Sequence, residues 1–305
     1  MQDLASLFPA FLALAASAAA TVGSHRRRTP GHSGVVWHYV SLIVPATATA
    51  LALAHLHSDY GVHHLPCVPV ALLGVMAVLS VSFLAGFATQ QWRVLKHLES
   101  WSTEAPPALA RSVAELATRL GTAAPDVFLV EVDRPIALTV GVFRPRIYLS
   151  VWYLRSLGEA ELEGVLAHEL AHVARRDNLF ALLCTAFLGA AAYLPPSWRA
   201  FRSLLAEREL ADDELAVAVT AKPIALARGL IKANALAPLH FGLAASGLGG
   251  CIEERLENLL RLSKGAAPDV KDLRTEPHRL IAATLVAPMA LGWLIFNLPH
   301  LLMLP

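Results

Sequence analysis

The motif HELAH at His168–His172 stands inside Glu161–Asn178 (ELEGVLAHELAHVARRDN), a run whose apolar residues recur at helical spacing. On a helix, residues four apart lie on one face about 6 Å apart, so the two imidazoles point the same way. Such a pair suits two ligand positions of tetrahedral Zn²⁺. Glu169 places a carboxylate beside the ligands, where it can take a proton from the attacking water. The motif predicts one catalytic Zn²⁺ bound by His168 and His172, with Glu169 as general base. The alternative is a solvent-exposed helix face on which the histidines are incidental.

A third protein ligand is required for a catalytic zinc site, and the acidic run Glu207–Val217 (ERELADDELAV) offers candidates. Glu209 and Asp213 are four residues apart in a predicted helix, so they share a face. We expect Glu209 to bind the metal and Asp213 to accept the free N–H of a ligand histidine, which fixes its tautomer and raises its basicity. Glu207 and Asp212 are the competing choices, and an ordinary charged helix surface is the bland alternative.

The composition indicates a membrane protein. Hydrophobic residues make up 55% of the 305-residue chain and charged residues only 16%, whereas soluble domains usually have about 25% charged residues. Four stretches free of Asp, Glu, Lys and Arg are long enough to cross a bilayer core. They predict transmembrane helices at about residues 4–22, 35–56 and 67–90, and a fourth within residues 279–305. Asp3 precedes the first stretch without any basic residue, the reverse of a secretory signal, so we expect this helix to be retained.

The basic residues of the loops predict the orientation. Arg26–Arg28 lie between the first and second spans, and Arg93 and Lys96 follow the third. The loop His57–His64 has no Lys or Arg. By the positive-inside rule, the first loop and the long third loop are cytoplasmic, and both termini are extracytoplasmic. We therefore expect a multi-pass protein of the cell membrane.

Several classes of site are disfavoured. The net charge of +1 and the scattered basic residues argue against direct nucleic-acid binding. Cys67, Cys184 and Cys251 have no CxxC spacing, which argues against a disulfide framework and a thiolate zinc site. Four histidines cluster in or near the predicted outer loop: His55, His57, His63 and His64. They could bind a metal or respond to pH, but a merely polar loop is the commoner interpretation.

The predicted fold class is a mainly α membrane protein with four transmembrane helices. Residues 1–96 contain the first three, and residues 279–305 contain the fourth. A cytoplasmic α+β zincin-like metalloprotease domain, residues 97–278, is inserted between the third and fourth helices.

Patterning within this domain predicts its elements. We expect an amphipathic helix over Pro107–Leu120 that stops at Gly121, then strands over Val127–Val132 and Ile136–Leu149 with a turn near Arg144-Pro145. Further helices are predicted from a capping box of Ser156 and Glu159 to about Arg175, from near Trp198, and over Glu253–Leu262, the last at the surface.

The apolar run Asn178–Tyr193 tests this arrangement. As a helix it spans about 24 Å, less than the roughly 30 Å of a hydrocarbon core. A single crossing would also place His172 and Glu209 on opposite sides of the membrane, where they cannot share an ion. We expect the run to be buried in the domain or to dip into one leaflet, with Pro195-Pro196 turning the chain back.

Together with GVFRPRIYLS (Gly141–Ser150), the two motif runs resemble the BlaR/MecR-type integral-membrane metallopeptidases, an antirepressor family of gluzincins. More distantly, they are similar to HtpX-type membrane proteases. The resemblance covers about Val127–Val219 and the arrangement of the spans. It implies these roles: His168, His172 and Glu209 bind one Zn²⁺, Glu169 is the general base, and Asp213 supports a ligand histidine. Because the sequence ends at Pro305, we expect the C-terminal sensor domain of the β-lactam sensors to be absent.

The resemblance implies a membrane-embedded zinc-dependent endopeptidase that cleaves a protein or peptide substrate, such as a cytoplasmic repressor, in regulated proteolysis or signalling. The alternatives are a housekeeping protease for damaged membrane proteins and a non-catalytic signalling scaffold with structural zinc. Glu169 argues against the scaffold, since structural zinc normally has four protein ligands and needs no base.

Overall fold

The structure is a computed structural model that describes residues 67–236 and 252–265. It also describes seven isolated positions: His38, Leu42, Ile43, Ala46, Ala50, Val270 and Leu273. The predicted spans at 4–22 and 279–305, most of the span at 35–56, and the histidine cluster of the outer loop lie outside the described residues. The described residues fall into two compact units. One unit contains those within 88–181 and 205–278, and the other contains the remaining described residues.

Helix α1, Cys67–Glu99, covers the third predicted span and continues beyond it. Over Ala71–Glu99 it is long and apolar enough to cross a bilayer, and it is the one helix among the described residues that meets both conditions. Several of its large apolar side chains are exposed, namely Leu72, Val75, Val78 and Val81. This is the pattern expected of side chains that face lipid.

A four-stranded mixed sheet follows, in the order β1-β2-β4-β3. Its strands are β1 (Ser102–Glu104), β2 (Asp126–Val130), β3 (Ala137–Val140) and β4 (Arg146–Ser150). β2 and β4 are parallel, whereas β1 pairs with β2 and β3 pairs with β4 in antiparallel fashion. The β3–β4 hairpin needs Gly141, which has φ 106°, and whose Cβ would lie 2.5 Å from the Arg144 carbonyl oxygen. This order leaves β3 at an edge of the sheet.

The helices around the histidine motif confirm most of the predicted boundaries. Helix α2 runs over Pro107–Leu120 and ends at Gly121, whose φ of 66° gives the left-handed cap. The predicted capping box is wrong. Ser156 ends the short helix α3, Val151–Ser156, and α4, Glu159–Arg175, begins after Gly158, whose N–H donates to the Glu161 carboxylate.

The remaining helices place the acidic run opposite the histidine motif. Helix α5, Asp177–Ala190, has 14 residues and spans about 21 Å, too short for a roughly 30 Å core. The later helices are α6 (Pro195–Thr220), α7 (Pro223–Leu236) and α8 (Ile252–Leu262). α6 begins at Pro195 rather than near Trp198, because proline is tolerated in the first turn of a helix.

Helix α4 is the centre of the hydrophobic core. Its apolar face packs Leu166 and Leu170 with side chains of α2 and the sheet, including Leu116 and Ile147. Burial of this face fixes the rotation of the helix, so that its histidines are presented on another side. The described residues are thus mainly helical with one small mixed sheet, as the sequence predicts at that level.

Candidate metal centre

The two motif histidines and Glu209 converge on one point. His168 and His172, one turn apart on α4, have ring centroids 4.8 Å apart. With Glu209 of α6 they offer three potential ligand atoms that all lie within 4.8 Å of one another. His168 is buried, whereas His172 and Glu209 are partly exposed.

The separations are compatible with one shared zinc ion. Glu209 Oε2 lies 3.6 Å from His168 Nε2, and Glu209 Oε1 lies 4.0 Å from His172 Nε2. Two ligands that are each about 2.1 Å from one zinc ion can be at most about 4.2 Å apart. Both separations fall within this limit, and each involves a different oxygen of the Glu209 carboxylate. The structure therefore brings together the three residues that the sequence predicts as ligands.

The second nitrogen of each imidazole meets a carboxylate. His168 Nδ1 lies 2.9 Å from Asp213 Oδ1, the contact expected from the sequence. His172 Nδ1 lies 2.8 Å from Asp177 Oδ2 and 2.9 Å from Asp212 Oδ2. Each ring thus keeps its Nε2 available for a metal, and a carboxylate at the second nitrogen is the arrangement that orients histidine ligands in known zinc sites.

The two competing ligand candidates, Asp212 and Glu207, lie outside the group formed by His168, His172 and Glu209. Asp212 contacts His172 Nδ1 and not the shared Nε2 side, so it supports a ligand. Glu207 belongs to neither of the possible metal-binding groups found among the described residues. Asp177, which directly follows the motif helix, was not predicted to contact a histidine. Its place five residues after His172, where α4 ends and α5 begins, is a signal that could have identified it.

His172, Asp177 and Asp212 form a second group that could hold a cation by distance alone. Two arginines already neutralise it. Arg175 Nε lies 3.0 Å from Asp212 Oδ1, and Arg208 Nη2 lies 2.8 Å from Asp177 Oδ2. The buried Arg175 and the partly exposed Arg208 balance two buried carboxylates, so we interpret this group as the support of His172.

The charges of this support shift the pKa values of its acids in opposite directions. Burial raises the pKa of Asp177, but Arg208 and His172 outweigh burial and hold it well below its usual range. Burial and the adjacent Asp177 carboxylate raise the pKa of Asp212 to about 6. The pair therefore keeps at least one firmly ionised carboxylate beside His172 Nδ1.

Arg255 is a site residue that the sequence did not reveal. Its Nε and Nη2 each donate to one Asp213 oxygen at 2.7 Å, and its Nη1 donates to Glu209 Oε2 at 3.0 Å. Nη2 also lies 3.4 Å from both ring nitrogens of His168. α8 was predicted as a surface helix, but Arg255, Asn258 and Leu259 face inward. An arginine on the apolar stripe of this amphipathic helix was the available signal.

The charged groups around the candidate ligands raise the pKa values of the two histidines and lower the pKa of Glu209. Burial and the Arg255 charge lower the pKa of His168, but Asp213 and Glu209 outweigh them and raise it to about 9. Burial likewise lowers the pKa of His172, but Asp212, Asp177 and Glu209 hold it well above its ordinary value. Burial raises the pKa of Glu209, but His168 and Arg255 hold it far below normal. In the absence of a cation, these shifts therefore favour the protonated form of both rings.

Glu169, the predicted base, is buried beside the ligands and held by strand β3. Thr139 Oγ1 lies 2.8 Å from Glu169 Oε2 and 3.2 Å from its backbone oxygen, and can donate to either. Asn178 Nδ2 in turn donates to the carbonyls of Thr139 and Gly141 at 3.0 Å each. The sequence did not single out Thr139 or Asn178, because their partners are more than 29 positions away.

Comparison with known proteins identifies the family of this chain. Residues 35–259 match the family described as BlaR1 peptidase M56, a stretch that includes the three candidate ligands, Glu169 and Arg255. The chain belongs to the BlaR1 peptidase M56 family. The resemblance seen in the sequence is therefore confirmed.

Several curated relatives are named proteases. The chain is 39% identical over 90 residues to the Protease HtpX homolog of Burkholderia cenocepacia (strain HI2424). These 90 residues cover 29% of this chain and 32% of the relative. The homolog of Paraburkholderia phytofirmans is 38% identical over the same length and the same shares of both chains. The chain therefore spans about a third of the length of these curated relatives.

Proposed function

We propose that this M56-family chain is a membrane-embedded, zinc-dependent endopeptidase. The observation that carries the proposal is the placement of Glu209 between the Nε2 atoms of His168 and His172, while the Nδ1 of each ring meets a carboxylate. An incidental histidine pair on a helix surface does not need this complete set of supports. The set matches the pattern in which a carboxylate orients each histidine that binds zinc.

The chemistry of the donors favours zinc over other common divalent ions. Two imidazole nitrogens and one carboxylate oxygen are the three-ligand set of catalytic zinc sites, which keep a fourth position open. Ca²⁺ and Mg²⁺ prefer oxygen ligands only. His168, His172 and Glu209 would hold the ion.

The catalytic step follows from the position of Glu169. A bound zinc ion supplies Lewis acidity that polarises a carbonyl and lowers the pKa of water. Glu169 accepts the proton of the attacking water and returns it to the leaving amine. The hydroxyl of Thr139, 2.8 Å from Glu169 Oε2, orients the carboxylate for both transfers.

The substrate is a protein segment in an extended conformation. β3 lies at the sheet edge, and its residue Thr139 contacts Glu169, so a segment paired with this strand would pass the base. Asn178 occupies the carbonyls of Thr139 and Gly141, which leaves the Ala137 end of the strand as the first place for pairing.

The membrane part of the proposal rests on α1 and on the charges of the loops. α1 is long and apolar enough to cross a bilayer and exposes apolar side chains. We propose a multi-pass protein with a cytoplasmic catalytic domain that cuts a cytoplasmic or membrane-bound protein in regulated proteolysis.

Substituting the base separates metal binding from catalysis. Full-length wild-type protein and Glu169→Gln, purified in detergent, are compared by zinc analysis and by cleavage of β-casein. We expect one zinc ion per chain in both and cleavage only by the wild type. His172→Ala should lose zinc and cleavage together. A wild-type chain without zinc, or undiminished cleavage by Glu169→Gln, contradicts the proposal.

The biological substrate can be found with the same variant. Proteomes of cells that produce the wild type or Glu169→Gln are compared for protein termini that depend on the intact base. A single cleaved regulator supports regulated proteolysis. Broad cleavage of many membrane proteins would instead indicate a housekeeping protease.

A further inference from the structure

We infer that Arg255 is a positioning residue of the metal centre, whose guanidinium clamps Glu209 against Asp213 and keeps one Glu209 oxygen for the metal. This inference rests on the proposed zinc-dependent function and deepens it. Arg255 lies 42 to 87 positions from its three partners, on a helix to which neither metal-binding motif extends.

The geometry of the clamp uses the shape of arginine. Glu209 and Asp213 are one turn apart on the same face of α6, and Arg255 donates to both at once. Two parallel donations to Asp213 fix the plane of the guanidinium, which then directs Nη1 at Glu209 Oε2. A lysine has one nitrogen on a flexible stem and cannot make this three-point contact.

The contact limits how Glu209 can bind a metal. Nη1 donates to Oε2, and the other oxygen, Oε1, lies on the side of His172, 4.0 Å from its Nε2. A carboxylate freed from the clamp could turn and offer both oxygens to the ion. The second oxygen would then take the position that a catalytic zinc site keeps for water or substrate. The clamp therefore acts on coordination number as well as on affinity.

The clamp also opposes repulsion between buried acids. Like charges four residues apart on a helix destabilise each other, and the Asp213 side chain is fully buried. Arg255 bonds to both carboxylates and contacts His168, so it holds the ligand and the support of another ligand in one network. Loss of Arg255 should loosen the His168 side of the centre first.

α8 has attachments that do not depend on Arg255. Asn258 Nδ2 donates to Glu214 Oε1 of α6 at 3.2 Å, and Leu259 is fully buried in the core. A change at Arg255 should leave the helix in place. Arg261 provides a matched control, since it lies on the same helix and contacts Asn258 and Glu214 but none of the metal-binding residues.

The test uses the full-length protein loaded with Co²⁺, whose visible absorption reports the coordination number. Wild type, Arg255→Met, Arg255→Lys and Arg261→Met are compared for metal affinity, for the Co²⁺ spectrum and for kcat and KM on β-casein. For Arg255→Met we expect affinity about 10- to 100-fold weaker, a weaker absorption typical of a higher coordination number, and a lower kcat with little change in KM. Arg255→Lys should recover part of the affinity but not the spectrum, and Arg261→Met should match the wild type.

Several results would overturn the inference. Wild-type affinity and spectrum in Arg255→Met, or an equal loss in Arg261→Met, would mean that Arg255 only anchors α8. If Arg255→Met does not fold, Arg255→Lys decides, because its charge is retained but its fork is not. A wild-type spectrum and kcat in Arg255→Lys would refute the clamp.

The two proposals fail in different ways. A wild-type chain that binds neither Zn²⁺ nor Co²⁺ refutes the proposed function and the clamp together. A wild-type chain that binds metal and cleaves β-casein, combined with an unaltered Arg255→Met, refutes the clamp alone.

Discussion

The two halves of the metal centre are supported in different ways. His172 meets two carboxylates, one of them only five residues further along the chain, and two arginines balance those acids. His168 meets one carboxylate, Asp213, which is held by an arginine from the distant helix α8. The His172 side thus has a local, duplicated support, whereas the His168 side depends on a single chain of long-range contacts. Failure of one contact should be tolerated better on the His172 side.

The largest expected effect is the pH dependence of metal binding. The pKa of His168 is raised to about 9 and that of His172 is also raised, so each ring must release a proton before it binds zinc. We expect the apparent zinc affinity to fall about 100-fold for each pH unit below pH 7, measured by competition with a chelator corrected for its own protonation. A tenfold change per unit would mean that only one half of the centre holds a proton.

The same pKa shifts predict how the stability of the metal-free protein changes with pH. The folded-state pKa of His168 lies above its ordinary value of 6.5. Its protonation therefore stabilises the fold fully below about pH 6.5, and this stabilisation is lost as the pH rises through about 9. Thermal unfolding of the metal-free chain between pH 6 and pH 10 should show a decrease in Tm in that window.

The second effect compares the two carboxylate supports directly. Asp213→Asn removes the carboxylate charge that contacts His168 Nδ1 and leaves Arg255 with less negative charge beside it, so we expect about 10- to 100-fold weaker zinc binding. Asp177→Asn should cost less, because Asp212 still contacts His172 Nδ1. Glu214→Gln on α6 is the control, since Glu214 contacts Asn258 and Arg261. Equal losses of zinc affinity in Asp213→Asn and Asp177→Asn would contradict the difference between the two supports.

The smallest effect concerns the base. Thr139→Val removes the hydroxyl that donates to Glu169 and keeps the shape of the side chain. The loss of this hydrogen bond corresponds to a free energy of about 1 kcal/mol. We expect kcat on β-casein to fall about fivefold, with unchanged zinc content, whereas Thr139→Ser should retain most activity. A loss of zinc in Thr139→Val would show that β3 supports the ligands instead.

Local patterns in the sequence predicted much of the fold around the site. Helix α2 has the predicted bounds because Pro107 can begin a helix and Gly121 can adopt the left-handed conformation that ends one. The capping box at Ser156 was wrong because a separate short helix ends there, which the local pattern cannot distinguish from a helix start. Asp212 was also considered as a metal ligand, because the sequence does not show which of the neighbouring acids on α6 faces the histidines. That direction is set by how α6 packs against α4.

The sequence by itself determined the pairing of His168 with His172 and of Glu209 with Asp213, since the helical repeat places residues four apart on one face whatever the surroundings. Only the tertiary structure decided that Asp177 and Asp212 share His172, that Thr139 holds Glu169, and that Arg255 reaches Glu209 and Asp213. Apart from the contact between His172 and Asp177, these contacts join residues tens of positions apart. Their formation depends on how the core packs the helices and the sheet, which no short-range repeat in the sequence records.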